Sequence, residues 1–256
     1  MKRLLIVSLR KGCGATTVTA NLAQTLVKIN KQVLAVDLSP ENLLRFHLGL
    51  TLSERDGWAA RMLVEEPFIE AGYQSPLGVS FLPFGQLNDQ QRATFSEVGG
   101  DVMSQLGNTL LQVEQEEQWQ LFHGELELLE SPAGRDLIDS MDRVFVVLNA
   151  EAMSYAALQS QLQRNPIIAE LLDSNKMRFL LNKYQPETEV GRDFMLVLKN
   201  ELQSALAPVY LHLDTALLES AANLTTVQHH SASSQAAKDF QSLAFWCVSA
   251  LSNPSY

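Results

Sequence analysis

The stretch Leu9–Thr17, LRKGCGATT, decides how the rest of the chain is read. Ahead of it runs LLIVS (4–8), short and apolar as a buried strand is, and behind it VTANLAQTLVKI (18–29) reads as a helix. A glycine turn between strand and helix lets successive backbone N–H groups point inward, and the helix adds the positive end of its dipole. A phosphate-binding loop works in this way. The pattern G-x-x-x-x-G-K-[ST] adds a lysine for the β/γ-phosphates and a hydroxyl for Mg²⁺. Started at Leu9, it is satisfied only by Gly14 and Thr16, and Ala15 stands where the lysine is expected. Read alone, the loop leaves a nucleotide site and a plain glycine turn equally open.

Working outward, apolar runs alternate with helix-like stretches. Val33–Val36 reads as a second strand ended by Asp37, Glu41–Leu48 as helix, and Val79–Pro83 as a third strand. Gln86–Gln120 is polar and helix-permissive, with Val102, Leu106, Leu110 and Val113 at helical spacing. Leu126–Leu129 leads into Glu130–Gly134, ESPAG. Val144–Leu148 and Phe179–Leu181 read as strands with a helix at Ala156–Gln163 between them; Pro208–Leu213 is the expected last strand and Ser234–Ala250 the last helix. This alternation predicts an α/β fold, a mostly parallel sheet covered by helices on both faces. Such folds bind ligands at the carboxyl ends of their strands, where the 10–17 loop, Asp37, Glu130–Gly134 and Asn182 are expected. No linker or internal repeat interrupts the chain, so residues 1–256 are read as one domain.

Composition narrows the function. Hydrophobic residues make up 46% of the 256, enough for a large core, and the formal net charge is −10. That charge argues against non-specific nucleic-acid binding and against attraction to anionic lipid. No run approaches about 18 apolar residues, so no membrane insertion is expected. Arg10-Lys11 interrupt the N-terminal apolar run before it reaches signal-peptide length. Cys13 and Cys247 lie far apart without metal spacing, which fits a reducing cytoplasm. His229-His230 read as solvated surface, and Trp58, Phe81, Phe84 and Phe245-Trp246 as core or interface aromatics. The C-terminal stretch FQSLAFWCVSALSNPSY (240–256) has no Lys or Arg, so it reads as a packed helix and not as an interfacial one.

A second pattern bears on the loop. It resembles the deviant loop K-G-G-x-G-K-[ST] of the ParA/MinD-type (SIMIBI) P-loop NTPases, whose first lysine crosses a dimer interface to the partner's nucleotide. Aligned on the threonine, Arg10 falls at that first lysine, Lys11 replaces a glycine, Gly12 and Gly14 keep theirs, Cys13 lies between them, Ala15 replaces the P-loop lysine, and Thr16 takes the Mg²⁺ position ahead of Thr17. ESPAG resembles that family's D-[ST]-P-[AP]-G switch loop, with Glu130 for Asp. Asp37 matches an acid near Mg²⁺-bound water, and Ser39 stands where many MinD-like enzymes place a second Asp. FLLNK (179–183) resembles the strand whose Asn, here Asn182 beside Lys183, meets adenine. Asp214 follows the expected last strand as a further candidate for base or ribose.

The pieces LRKGCGATTVTANLA, VDLSPENLLRF, GWAARMLVEE, FLPFGQLN and SLAFWC, in this order, resemble the BcsQ family of bacterial cellulose-biosynthesis operons. The resemblance runs from about residue 4 to 250 and is weakest at 90–125. It implies ATP and Mg²⁺ as cofactors, with Thr16, Asp37 and Glu130 toward the metal. It implies a homodimer, and as partners BcsR, BcsE and the cytosolic face of BcsA, peripheral to the inner membrane or the cell pole. FLPFGQL (81–87), which generic ParA proteins do not require, offers Phe84-Gly85-Gln86 as a partner loop. Ala15, Ser39 and Glu130 replace groups that stabilise a transferring phosphoryl, so slow or absent hydrolysis is expected and no residue is assigned as catalytic beyond the candidates Asp37 and Glu130. Lys11 either obstructs the approach to phosphate or lends it an ammonium. Alternative readings are an active positioning ATPase, a nucleotide-free interaction module, and an ATP-dependent synthetase of the same fold.

Overall fold

The computed structural model describes residues 1–112 and 117–252. Seven strands form one sheet: β1 (Lys2–Ser8), β2 (Gln32–Asp37), β3 (Tyr73–Gln74), β4 (Ser80–Leu82), β5 (Gln118–Glu125), β6 (Arg143–Asn149) and β7 (Met177–Asn182). Their order across the sheet is β3-β4-β2-β5-β1-β6-β7. All neighbours are parallel except the short edge strand β3, which runs antiparallel to β4. Eleven helices are described: α1 (Ala15–Lys28), α2 (Leu44–His47), α3 (Trp58–Met62), α4 (Asp89–Gln112), α5 (Pro132–Asp139), α6 (Ala152–Arg164), α7 (Pro166–Asp173), α8 (Glu189–Leu202), α9 (Thr215–Ala222), α10 (Val227–His230) and α11 (Gln235–Ser252). The expected mostly parallel α/β architecture is what is found.

Helices on both faces explain why the central strands read as unbroken apolar runs. All seven residues of β6 and all six of β7 are buried. Fully burying side chains such as Phe122, Phe145 and Phe179 contributes about 2 kcal/mol each. Helix α1 buries ten of its residues and packs beside α11, whose Phe240, Leu243, Ala244 and Cys247 are inside. The last helix is thus a packed one, with only Phe245 strongly exposed among its large apolar side chains. Residues 253–256 and Val113 lie outside the described residues.

Four local expectations are corrected. Strand β5 lies in the middle of the sheet, between β2 and β1; its first residues, to Gln120, read as helix-permissive from the sequence, and 121–125 carry no expected element. Its polar Gln120 is fully buried, and this is allowed because its carbonyl accepts from Arg3 Nε at 3.1 Å and its amide reaches Leu110 O at 3.4 Å. ESPAG therefore does not end a strand: the chain leaves β5 at Glu125 and passes through the 3₁₀ turn Leu126–Glu130 first. Leu206–Leu213 runs beside β7 but makes only isolated bridges, Phe179 with Leu206 and Tyr184 with His212, so the expected last strand is not a ladder strand of the sheet. The helix expected from Glu41 begins only at Leu44, because Asn42 is left-handed, with φ 52°.

From β1 the chain runs to β2 on one side, and from β5 it runs to β6 on the other. The carboxyl ends of β1 and β5 thus flank a point where connections diverge, the usual place for a ligand in an open α/β sheet.

Candidate nucleotide site

The loop leaves β1 at Ser8 and enters α1 at Ala15. Gly12 and Gly14 sit at φ 90° and 99°, where a Cβ is strained, and a Cβ on Gly14 would lie 2.5 Å from Asn182 Nδ2. The turn therefore needs its glycines. The chain enters α1 with no side-chain cap, so the first turn keeps N–H groups free for an outside partner, although Ala15 N–H donates to Ser8 Oγ at 3.2 Å. Over the loop lies a cavity of about 380 Å³, lined among others by Gly12, Gly14, Ala15, Thr16 and Thr17.

The expected site residues divide into three groups. Arg10, Lys11, Gly12, Gly14, Ala15, Thr16 and Thr17 line the cavity together. Cys13, Asn182 and Lys183 hold the loop from behind: Asn182 Nδ2 donates to Cys13 O at 2.8 Å and Lys183 Nζ to Gly12 O at 2.7 Å. Asn182 is 3% exposed, so its amide is committed to the loop. Asp37, Glu130 and Asp214 do not line the cavity. Asp214 caps α9 through Ala216 N–H at 2.9 Å and ties down the start of α11 through Ala236 N–H at 2.9 Å. Glu130 accepts from Asn165 Nδ2 at 2.8 Å. Asp37 is fully buried, its carboxylate accepting from Ser39 N–H at 3.1 Å and Leu44 N–H at 3.2 Å. Burial pushes its carboxyl up to about 7, against those two backbone bonds and Arg45, which favour the charged form.

Both cations at the mouth already have partners. Arg10 pairs with Glu151 and donates to Lys11 O at 3.2 Å. Lys11 reaches Glu41 Oε1 at 3.1 Å, and that hydrogen bond, with the fields of Glu41, Glu125 and Glu127, raises its pKa. Ala15 is 1% exposed and supplies no charge.

Sequence reasoning missed the other half of the cavity. His123, near the end of β5, faces the loop, with its Nε2 3.0 Å from Thr16 Oγ1. His47, Glu41, Glu125 and Glu127 line the same space. Burial pushes both imidazoles down to about 4, so they are neutral at pH 7. A signal for His123 was present: HGE follows Leu121-Phe122, as a polar end follows the apolar part of a buried strand. Ser39 Oγ donates to Glu125 Oε1 at 3.2 Å. Phe84 is 1% exposed and packs edge-on against Trp58 and Phe95, so it is core and not a presented partner residue; Gln86 is the exposed end of that loop.

The three residues expected around Mg²⁺ do not fit it well. Mg²⁺ wants an octahedron of hard oxygens with carboxylate charge close by. Here Thr16 faces an imidazole, Asp37 is sealed under α2, and Glu130 points to Asn165. Among the described residues no three His, Cys, Asp or Glu side chains converge to hold a metal ion.

The fold is shared with solved P-loop ATPases of the ParA/MinD type. Cobyrinic acid a,c-diamide synthase from Mycobacterium smegmatis, with bound ATP analog and magnesium, is 16% identical over 99% of this chain and 96% of its own, with a TM-score of 0.74. The septum site-determining protein MinD of Pyrococcus horikoshii, complexed with Mg-ADP, is 19% identical over 100% and 98%, with a TM-score of 0.71. Among curated proteins, the cellulose biosynthesis protein BcsQ of Escherichia coli K12 is 28% identical over 249 residues, 97% of this chain and 94% of its own. That of Salmonella typhi is 26% identical over 248 residues. The family model described as cellulose biosynthesis protein BcsQ matches residues 1–248, and this chain belongs to that family.

Proposed function

We propose that this chain is an ATP-binding, dimer-forming regulatory or scaffold subunit of the cellulose biosynthesis and secretion system, which holds nucleotide and hydrolyses it slowly or not at all. The observation that carries this reading is the open cavity over a loop whose left-handed glycines leave the first turn of α1 uncapped. That arrangement offers backbone N–H groups and a helix dipole to an α/β-diphosphate. Slow chemistry follows from what surrounds it. Ala15 brings no ammonium, Ser39 is bonded to Glu125, and Asp37 and Glu130 are away from the cavity. Each missing phosphoryl-stabilising group is worth about 3 kcal/mol of barrier. The binding energy then serves to hold a dimer face for partners of the cellulose machinery, for which BcsR, BcsE and the cytosolic face of BcsA are the family's candidates. Among the described residues no helix is long and apolar enough to cross a membrane, so attachment through such partners is the proposed route to the inner membrane.

Calorimetry with ATP, light scattering with and without ATP, and phosphate release followed over hours test the three parts separately. Saturable binding, a mass that doubles, and no steady turnover are expected. Turnover near that of ordinary ParA proteins, abolished by Thr16→Ala, would remove the slow-hydrolysis part.

A second reading, an interaction module that binds no nucleotide, is favoured by the ion pairs at the mouth. Arg10 and Lys11 are both engaged inside the chain, and Glu41, Glu125 and Glu127 line the cavity. The same calorimetry separates the two readings, since this one gives no binding heat.

A further inference from the structure

His123 stands at the point of the cavity where the expected metal environment fails. The imidazole meets Thr16 Oγ1 at 3.0 Å and is itself 6% exposed. It comes from β5, whose last residues run in register with the end of β1: Ile6 beside His123 and Ser8 beside Glu125. In the neighbouring register on the other side, Asp37 pairs with His123 across β2–β5, but its carboxylate turns to the backbone of Ser39 and Leu44. The hydroxyl that would approach a cation thus meets a ring that brings no negative charge in either protonation state. Of the three carboxylates that line the cavity, Glu127 is exposed on the 3₁₀ turn after β5 and the other two have partners. Glu41 pairs with Lys11, and Glu125 accepts from Ser39 Oγ at 3.2 Å.

We infer that the nucleotide in this cavity is held without magnesium, with the His123 side chain taking the cation's place against Thr16. This rests on the nucleotide-binding reading above and concerns only how the phosphates are held. The loop's backbone N–H groups need no metal to bind an α/β-diphosphate. A divalent ion held by one or two carboxylates has no such anchor here. His123 is a positioning residue: it fixes the Thr16 hydroxyl and fills the space beside it.

The test is calorimetric titration of the full chain with ATP, once in excess Mg²⁺ and once in EDTA. The expected dissociation constants agree within about threefold. His123→Asp restores an acid beside Thr16 and is expected to bind ATP about tenfold more tightly with Mg²⁺ than without. His123→Asn, which adds no charge, is expected to remain indifferent, and thermal melts check that both variants fold. Magnesium tightening the unaltered chain by more than about threefold would overturn the inference while leaving the nucleotide site intact. An indifferent His123→Asp would overturn the role given to His123. Absence of ATP binding in both buffers would instead remove the nucleotide reading itself, and this inference with it.

Discussion

The side-chain amide of Asn182 donates to the carbonyl oxygen of Cys13 at 2.8 Å and so clamps the end of β7 to the middle of the glycine loop. Lys183 adds a second tie one residue along, from Nζ to Gly12 O at 2.7 Å. A residue expected to read a base is in this structure a support for the glycine turn. Asn182→Ala leaves the Cys13 carbonyl buried without a donor, and such an orphan costs about 1–3 kcal/mol. Urea unfolding is expected to show that loss. If Asn182 only buttresses the loop, the variant's preference for ATP over GTP stays as in the parent, and a lost preference would return the amide to the base.

Gly134 tests a second reassignment. Within ESPAG, Ser131 Oγ accepts from Gly134 N–H at 3.0 Å and Pro132 occupies the first turn of α5, which is a helix start with a cap. A Cβ on Gly134 would fall 1.7 Å from Leu128 O, so the glycine answers a backbone approach. Gly134→Ala is expected to cost on the order of 3 kcal/mol or more, read by chemical denaturation. Glu130→Gln keeps an acceptor for Asn165 and is expected to leave ATP binding unchanged, whereas a metal role for Glu130 demands a large loss.

These two cases show where the sequence was readable and where it was not. The strands at 4–8, 33–36, 144–148 and 179–181 were legible because burial on both faces leaves apolar runs with no alternation to decode. Strand β5 was not, because Gln120 and His123 are buried polar residues satisfied or held by partners far away in sequence, Arg3 and Thr16. The acid named from the sequence, Glu130, lies five residues past that strand's end, across the 3₁₀ turn. There Ser131 and Pro132 also serve as the start of α5. The glycine turn between β1 and α1 was legible because its glycines answer a local backbone demand, visible in nine residues. The partners of Arg10 and Lys11, at Glu151 and Glu41, depend on tertiary approach and left no mark on the loop.

His47 gives the fold a measurable pH dependence. Burial holds its folded-state pKa down to about 4, below the ordinary value near 6.5, and the unfolded chain therefore binds the extra proton first. The neutral ring's contribution is complete above about pH 6.5 and is lost as pH falls toward 4, on the order of a few kcal/mol across that window. Asp37 works the other way: its carboxyl, raised to about 7, favours the fold at lower pH. The histidine's share is isolated by comparing the parent with His47→Gln. The stability difference between them is expected to shift in the parent's disfavour from pH 6.5 to pH 4.5. Parallel stability curves would mean that the ring is already solvated in the folded protein.

Lys11 decides how much charge the loop offers an anion. Its ammonium is 3.1 Å from Glu41 Oε1, and both side chains are largely exposed, 82% and 52%. An ion pair so solvated contributes little to folding, so Glu41→Gln is expected to leave the melting temperature within about 1 °C. The same substitution releases the ammonium toward the cavity and removes one of three carboxylates that line it. With a nucleotide as ligand, affinity is expected to rise by about twofold to fivefold and to become more sensitive to salt, since the new contact is an exposed one. Lys11→Ala is expected to abolish that gain in the Glu41→Gln background while doing little alone, because in the parent the charge is already engaged. If Lys11→Ala by itself weakens ATP binding tenfold, the ammonium already serves the phosphates in the parent and stands in for the lysine absent at Ala15.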